Sequence, residues 1–299
     1  MEVSDFVDRK PESLLKLVAI FLAVVVVAVL ISFWDDDLGR VHRSAQRSNQ
    51  LSVVGSTSAL PFVETCAEEF NLRQDDRSVS VTGSGTGVGI KSLASGIADI
   101  AMASREVRTE EVEIYGDRFE PFPIAFDAVC IAVSWDVYDG GVKEISRDQL
   151  LSIYNGEIDS WKNLGGPDEP IAAIARVAGS GTRDVFNEVV MGRLDHETPG
   201  ADSYRGSNAE VWAAIASGEG AIGYLSLNYV KDGEVEALSY EGVAPSTKTV
   251  MDGSYPLTRT LYLYTLGEPD ENERAFIDFV SGERGQSIAE DLGFVPVKR

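Results

Sequence analysis

An α/β fold with mainly parallel strands is predicted for the chain beyond residue 50, on three observations. Short apolar, β-branched runs alternate with stretches of helical spacing. Small turns rich in glycine, serine and threonine separate each run from the helix that follows. No fixed-period repeat or low-complexity tract interrupts the alternation.

The elements follow in order. Leu51-Ser-Val-Val reads as a strand ending in Gly55-Ser-Thr-Ser, and Ala59 to Asn71 carries Leu60, Val63, Ala67 and Phe70 on one helical face. Val79-Ser-Val is the next strand. It leads through Gly83-Ser-Gly-Thr-Gly into a helix from about Val88 to Ser95, and Ile100-Ala-Met is a third strand. A second block opens with the buried-strand run Ala128-Val-Cys-Ile-Ala-Val. Helices are expected at Arg147–Ile153, Thr182–Met191 and Val211–Ala216, with a strand at Ala221-Ile-Gly-Tyr-Leu. The tail adds a strand at Leu261-Tyr-Leu-Tyr and a helix over Asn272–Ser281.

Composition narrows the function. The 299 residues are 44% hydrophobic, enough for a sizeable core in one or two lobes. Formal charge is −22 and no basic tract occurs, which argues against a nucleic-acid partner. Among 26 basic residues 8 are Lys and 18 are Arg. An acid-rich, Lys-poor surface stays hydrated when salt screens charge, so high salinity is an expected setting. Cys66 and Cys130 are too few for a disulfide framework. They read as two small buried hydrophobes, with a single bridge as the alternative.

Leu17 to Trp34 (LVAIFLAVVVVAVLISFW) is an 18-residue stretch without a formal charge, long enough to span a bilayer. A cleavable signal peptide is the alternative, but bulky and acidic ISFWDDD follows instead of a small-x-small site. The expectation is residues 1–16 cytoplasmic, an uncleaved anchor at 17–34 and a polar tether at 35–50. Basic residues are balanced across the span, so charge does not set its orientation.

Three turns stand out: Gly55-Ser56-Thr57-Ser58, Gly83-Ser84-Gly85-Thr86-Gly87 and Gly179-Ser180-Gly181-Thr182. Each precedes a helical segment, whose N-terminus offers unpaired N–H groups and partial positive charge. Glycine permits close backbone approach and hydroxyls add donors. Any one of them is explained as an ordinary cap. Three together, with Arg176 four residues before Ser180, point to an oxyanion, which an Arg fork grips bidentately. Arg105 and Arg183 flank these turns and could pair with carboxylates instead. No Walker A spacing and no dinucleotide fingerprint is present.

The segments VVGSTSALPFVETCAEEF, GSGTGVGIKSLASGIADIAMASREV, AFDAVCIAVSWD, LLSIYNGEIDSWKNLGGPDEPI and ARVAGSGTRDVFNEVV occur in this order. GAIGYLSLNYV, YPLTRTLYLYTLGEP and FIDFVSGERGQSIAEDLGFVPV follow. From about Leu51 to Val297 the chain resembles the phosphate-binding proteins of phosphate ABC transporters, in their short bacterial and archaeal branch. The resemblance implies a type II periplasmic-binding-protein-like fold, with two α/β lobes, two crossover strands and ligand in the cleft between them. It places the first lobe at 51–126 and 227–299 and the second at 127–226.

It also implies the site: Thr57 and Ser58 from the first turn, and Thr86, or Ser84 in its place, from the second. Ser104 and Arg105 come from the third strand, and Arg176, Ser180, Gly181 and Thr182 from the main phosphate-gripping segment. Asp127 is expected to accept the proton that phosphate retains and sulfate lacks, rejecting sulfate by like charge. Two departures are visible: Arg105 stands where some branches carry the selecting acid, and the second turn contains an unusual Gly-Val-Gly before Lys91. The implied function is capture of inorganic phosphate and delivery to ABC permease subunits, with no cofactor and no metal. The alternatives are binding of sulfate, molybdate or tungstate, and a surface sensor or adhesin. A hydrolase is disfavoured, because the two histidines, His42 and His196, lie in tether and polar loop.

Overall fold

The computed structural model describes residues 49–297, apart from Asp75, Lys231 and Asp232. The expected membrane span at 17–34 lies outside the described residues, as does nearly all of the tether. Among the described residues no helix is long and apolar enough to cross a membrane.

The first half-sheet is built by alternation. Strand β1 (Gln50–Gly55) leads into helix α1 (Leu60–Leu72), whose Phe62, Val63, Cys66, Ala67 and Phe70 are buried. β2 (Ser78–Gly83), α2 (Thr86–Ala94) and β3 (Ile100–Ala103) follow, and β1 pairs in parallel with both β2 and β3. Parallel pairing requires such helical crossovers. The Gly-Val-Gly of the second turn now has a reason at its second glycine. A Cβ on Gly89 would lie 2.7 Å from Gly55 Cα, so α2 lies flat on β1 only because that side chain is missing.

After α3 (Thr109–Tyr115), the strand β4 (Phe119–Ser134) runs for 16 residues and serves both lobes. Its first part pairs antiparallel with β11 (Thr258–Leu266) and its second part with β8 (Ala221–Ser226). Between these lie α4 (Trp135–Asp139), β5 (Glu144–Ile145), α5 (Arg147–Tyr154), β6 (Ala172–Arg176), α6 (Gly181–Phe186), β7 (Ser203–Arg205) and α7 (Asn208–Ala216). β9 (Val235–Ala237), β10 (Ser239–Tyr240) and α8 (Thr247–Met251) precede β11. Helices α9 (Glu271–Ser281) and α10 (Glu283–Asp291) and strand β12 (Val295–Pro296) end the chain. The strand order is β2-β1-β3-β11-β4-β8-β6-β7, with β9 and β12 also paired to β4.

Among the described residues, the two largest hydrophobic cores sit on either side of the β4 crossover. One gathers α1, β1, β3, α9 and α10 around Phe62, Phe70, Phe276 and Phe294. The other gathers α5, β6 and β8 around Trp161, Tyr154, Phe186 and Tyr224, where Phe186 and Tyr224 stack at 4.0 Å. The mixed α/β, two-lobed architecture is therefore present. The return to the first lobe comes later than expected at 227. β9 pairs with Ala132–Ser134 of β4, β10 pairs with β5, and Leu238, Tyr255 and Leu257 belong to the second core. Residues 235–257 thus pack with the second lobe, and the chain crosses back where β11 begins. A short 3-10 turn at Leu227–Tyr229 followed by β-pairing reads in sequence like a departure, because the partner strand is about 100 positions earlier.

The cysteines are free and lie apart, Cys66 in the first lobe and Cys130 in a cluster with Val211 and Leu225. The bridge alternative is set aside. Burial pushes the Cys66 thiol up to about 12, with Glu69 adding to it, and burial likewise pushes Cys130 up. Ellman's reagent at pH 8 should therefore find no fast-reacting thiol in the folded protein and two after unfolding in guanidinium. Prompt reaction of the folded protein would contradict this burial.

Candidate functional site

The residues at four helix starts meet where the lobes face each other. Thr57 and Ser58 precede α1, Thr86 opens α2, Gly181 and Thr182 open α6, and Asn208 opens α7. The first N–H groups of a helix have no intrahelical acceptor, so this convergence presents donors and positive potential to one place. Thr57, Ser58, Thr86, Ser104, Ser180 and Thr182 are all buried.

Side chains link the lobes directly. Ser58 Oγ lies 3.1 Å from Thr182 Oγ1, and Asn208 Nδ2 donates to Ser58 Oγ (2.8 Å) and Thr57 Oγ1 (3.2 Å). Thr86 Oγ1 lies 3.3 Å from Ser104 Oγ and accepts from Ser104 N–H at 3.2 Å. The Gly87 N–H donates to Gly179 O across the cleft at 3.0 Å. Ser180 caps α6, its Oγ accepting from Arg183 N–H.

Arg176, at the end of β6, is 1% exposed. Its guanidinium donates to Arg205 O, Gly206 O, Asn208 Oδ1 and Thr57 Oγ1, all neutral acceptors. Burial pushes its pKa down to about 10, opposed by Tyr224 and reinforced by Arg259. It remains a cation at neutral pH. A buried charge is normally paired; Arg176 hydrogen-bonds only to neutral acceptors, with Glu210 acting on it from a distance, so its guanidinium suits an anion.

Arg259, on β11, is the second cation. Its Nη2 and Nε donate to Asp127 Oδ2 at 2.7 and 3.0 Å, its Nη2 also reaches Ser58 Oγ at 2.7 Å, and its Nη1 reaches Thr182 Oγ1 at 3.0 Å. Asp127 Oδ2 also accepts from Ser226 Oγ at 2.7 Å. In the register of β11 with β4, Arg259 stands opposite Asp127, on the two strands that cross between lobes. The cluster thus holds two guanidiniums against one carboxylate, a net charge of +1 before the helix ends are added.

A family profile described as the PBP superfamily domain matches residues 41–284. The phosphate-binding protein PstS of Bacillus subtilis (strain 168) is 36% identical over 252 residues, covering 84% of this chain and 81% of that protein. This chain belongs to the PstS family. Among solved structures, a phosphate ABC transporter substrate-binding protein with bound phosphate from Clostridium perfringens shares 33% identity at TM-score 0.77, covering 84% of this chain and 100% of that one. An ABC-type phosphate transport receptor from Vibrio cholerae shares 29% identity at TM-score 0.67, covering 82% and 99%.

Of the residues expected at this PstS-family site, the fold brings Thr57, Ser58, Thr86, Ser104, Asp127, Arg176, Gly181 and Thr182 together, with Ser180 capping beside them. It does not bring Ser84 or Arg105. Ser84 is exposed, and its N–H is spent on Gly55 O at 2.7 Å. Arg105 is consumed by carboxylates, donating to Glu111 at 2.7 and 2.8 Å and to Asp184 at 2.6 Å. Asn208 and Arg259 were missed in sequence. A serine followed by asparagine before a helical run looks like a cap, and Arg259 sits in an ordinary alternating strand. Only the strand register could have found Arg259, by placing a cation opposite Asp127.

A methyl on Gly181 would lie 2.7 Å from Thr86 Oγ1 and closer still to Ser104 Oγ, both on the opposite lobe. Gly181→Ala should therefore hold the lobes apart. Calorimetric titration with phosphate is expected to show at least ~10-fold weaker binding with an unchanged ligand-free melting temperature. Wild-type affinity in this variant would mean that the lobes need not meet here.

Proposed function

We propose that this chain is the extracytoplasmic phosphate-binding subunit of an ABC phosphate importer, held to the membrane by residues 17–34. One observation carries the ligand: Arg176, buried among neutral acceptors where four helix starts converge. Phosphate oxygens would take the hydroxyl and N–H donors of Thr57, Ser58, Thr86, Ser104, Ser180, Gly181 and Thr182 and the guanidinium of Arg176. Asp127 would accept the proton that phosphate keeps, and would face a fully ionised sulfate with a like charge. No bond is broken. The site holds, the lobes close on it, and the closed form docks on permease subunits. Closure excludes water and strengthens each charge-assisted hydrogen bond.

The known ligand of the Clostridium perfringens relative and the name of the Bacillus subtilis one support this reading. The −22 charge repels anions at long range, and salt screens it while leaving the buried site untouched, which suits a saline setting. The test is to express residues 48–299 in high salt, strip bound ligand and titrate with phosphate, then sulfate. Tight one-to-one binding of phosphate with sulfate silent is expected. Silence with phosphate would refute the ligand and turn attention to sulfate, molybdate and tungstate. Rising stability from low to molar KCl is the expected companion result.

A further inference from the structure

Arg105 was expected to touch ligand and instead joins a compact charge cluster beside the site that spans the two lobes. Arg105, Arg108 and Glu111 belong to the first lobe, on β3's exit and α3. Asp184 belongs to the second, in the first turn of α6. Arg105 Nε donates to Asp184 Oδ2 at 2.6 Å, and Arg108 forms an ion pair with Asp184 Oδ1. Glu111 grips the other edge of Arg105 with both oxygens, at 2.7 and 2.8 Å. Side-chain exposure is 7% for Asp184 and 10% for Arg105, so that pair is largely out of water, while Arg108 at 28% is half-buried.

We propose that Asp184 is a positioning residue whose insertion between Arg105 and Arg108 latches the closed lobes and sets how slowly ligand leaves. Three arguments carry it. Partners on different lobes separate under any rotation that opens the cleft, so the latch exists only in the closed form. Glu111 holds Arg105 in place from its own lobe, so the receiving half is already shaped when Asp184 arrives, and little side-chain freedom is lost on closing. The burial of the Arg105–Asp184 pair limits its screening, so the latch works at salt concentrations that silence surface charges.

The sign of the effect separates this from simple electrostatics. Asp184 lies two residues after Thr182, and by Coulomb's law alone its negative charge disfavours an anion there. Removing it should then tighten binding. The latch predicts the reverse.

This inference rests on the ligand proposed above, and its test distinguishes the two. Stopped-flow kinetics with inorganic phosphate would compare wild type, Asp184→Asn and, as a charge control, Glu188→Gln, an exposed acid on the turn after α6. Asp184→Asn is expected to release phosphate roughly 10- to 100-fold faster, with association within about twofold and the loss undiminished in molar KCl. Its ligand-free melting temperature should match wild type while the phosphate-bound one falls. Glu188→Gln should keep wild-type release. Unchanged release, tighter binding, or equal destabilisation of free and bound forms would overturn the latch. A spin-label distance between Ile97→Cys and Leu194→Cys, exposed positions on the two lobes, gives a second reading, since buried Cys66 and Cys130 stay unlabelled. Should wild type give no phosphate signal, the ligand proposal fails, and this distance is then read with whichever of sulfate, molybdate or tungstate binds. Lengthening in Asp184→Asn sustains the latch, and an unchanged distance overturns it.

Discussion

Replacing Arg176 with methionine is expected to raise the phosphate dissociation constant roughly 100- to 1,000-fold, or about 3–4 kcal/mol. The size follows from where the cation sits. Its hydrogen-bond partners are two backbone carbonyls, an amide oxygen and a hydroxyl, so a bound anion would be the group that pairs with its charge. The free protein should respond far less. Methionine relieves the desolvation of a buried cation, while four acceptors lose a donor, and these effects oppose each other. Melting temperatures with and without phosphate would show it: the rise caused by ligand should collapse while the ligand-free value moves little. A change in affinity below about fivefold would remove Arg176 from the site.

Asp127→Asn should have two effects of different kind. Its carboxylate is one half of a pair with Arg259 in which both side chains are 3% exposed or less. Breaking a buried pair from one side costs about 3–5 kcal/mol, so the free variant should melt roughly 6–20 °C lower. The same change removes the negative charge proposed to repel sulfate and leaves two unbalanced guanidiniums. Sulfate should then bind, and the preference for phosphate should fall by roughly 100-fold. Added sulfate should also restore part of the lost melting temperature, because it supplies the missing charge. Calorimetry with both anions checks the first outcome and thermal melts the second. A variant that still ignores sulfate would place the discriminating group elsewhere.

The alternation of short apolar runs with helical spacing made the α/β class legible, since both periodicities are local. The first, second and third turns were legible for the same reason: glycine and hydroxyls next to a helix start form a pattern within five residues. Asn208 and Arg259 escaped because what brings them into the buried cluster is not local. Asn208 contacts residues about 150 positions away, and Arg259 acquires its meaning from a strand partner 132 positions earlier. Arg105 was misread for the converse reason. It lies in sequence beside Ser104, which does join the cluster, but a carboxylate 79 positions on claims its guanidinium. The late return to the first lobe hid likewise in β9, whose three residues carry no sign of which sheet they join.

The position of β11 bears on how the molecule is made. This strand lies between β3 and β4 and fills the middle of the first half-sheet, yet it is built from residues 258–266. During synthesis or translocation, β1, β2 and β3 emerge about 155 to 205 residues before their sheet can be completed, leaving β3 and β4 as open edges. The second core depends almost wholly on residues 128–257 and can consolidate first. The lobe that begins the chain is therefore the one that finishes last, and premature arrest of the nascent chain anywhere before residue 266 leaves it unclosed.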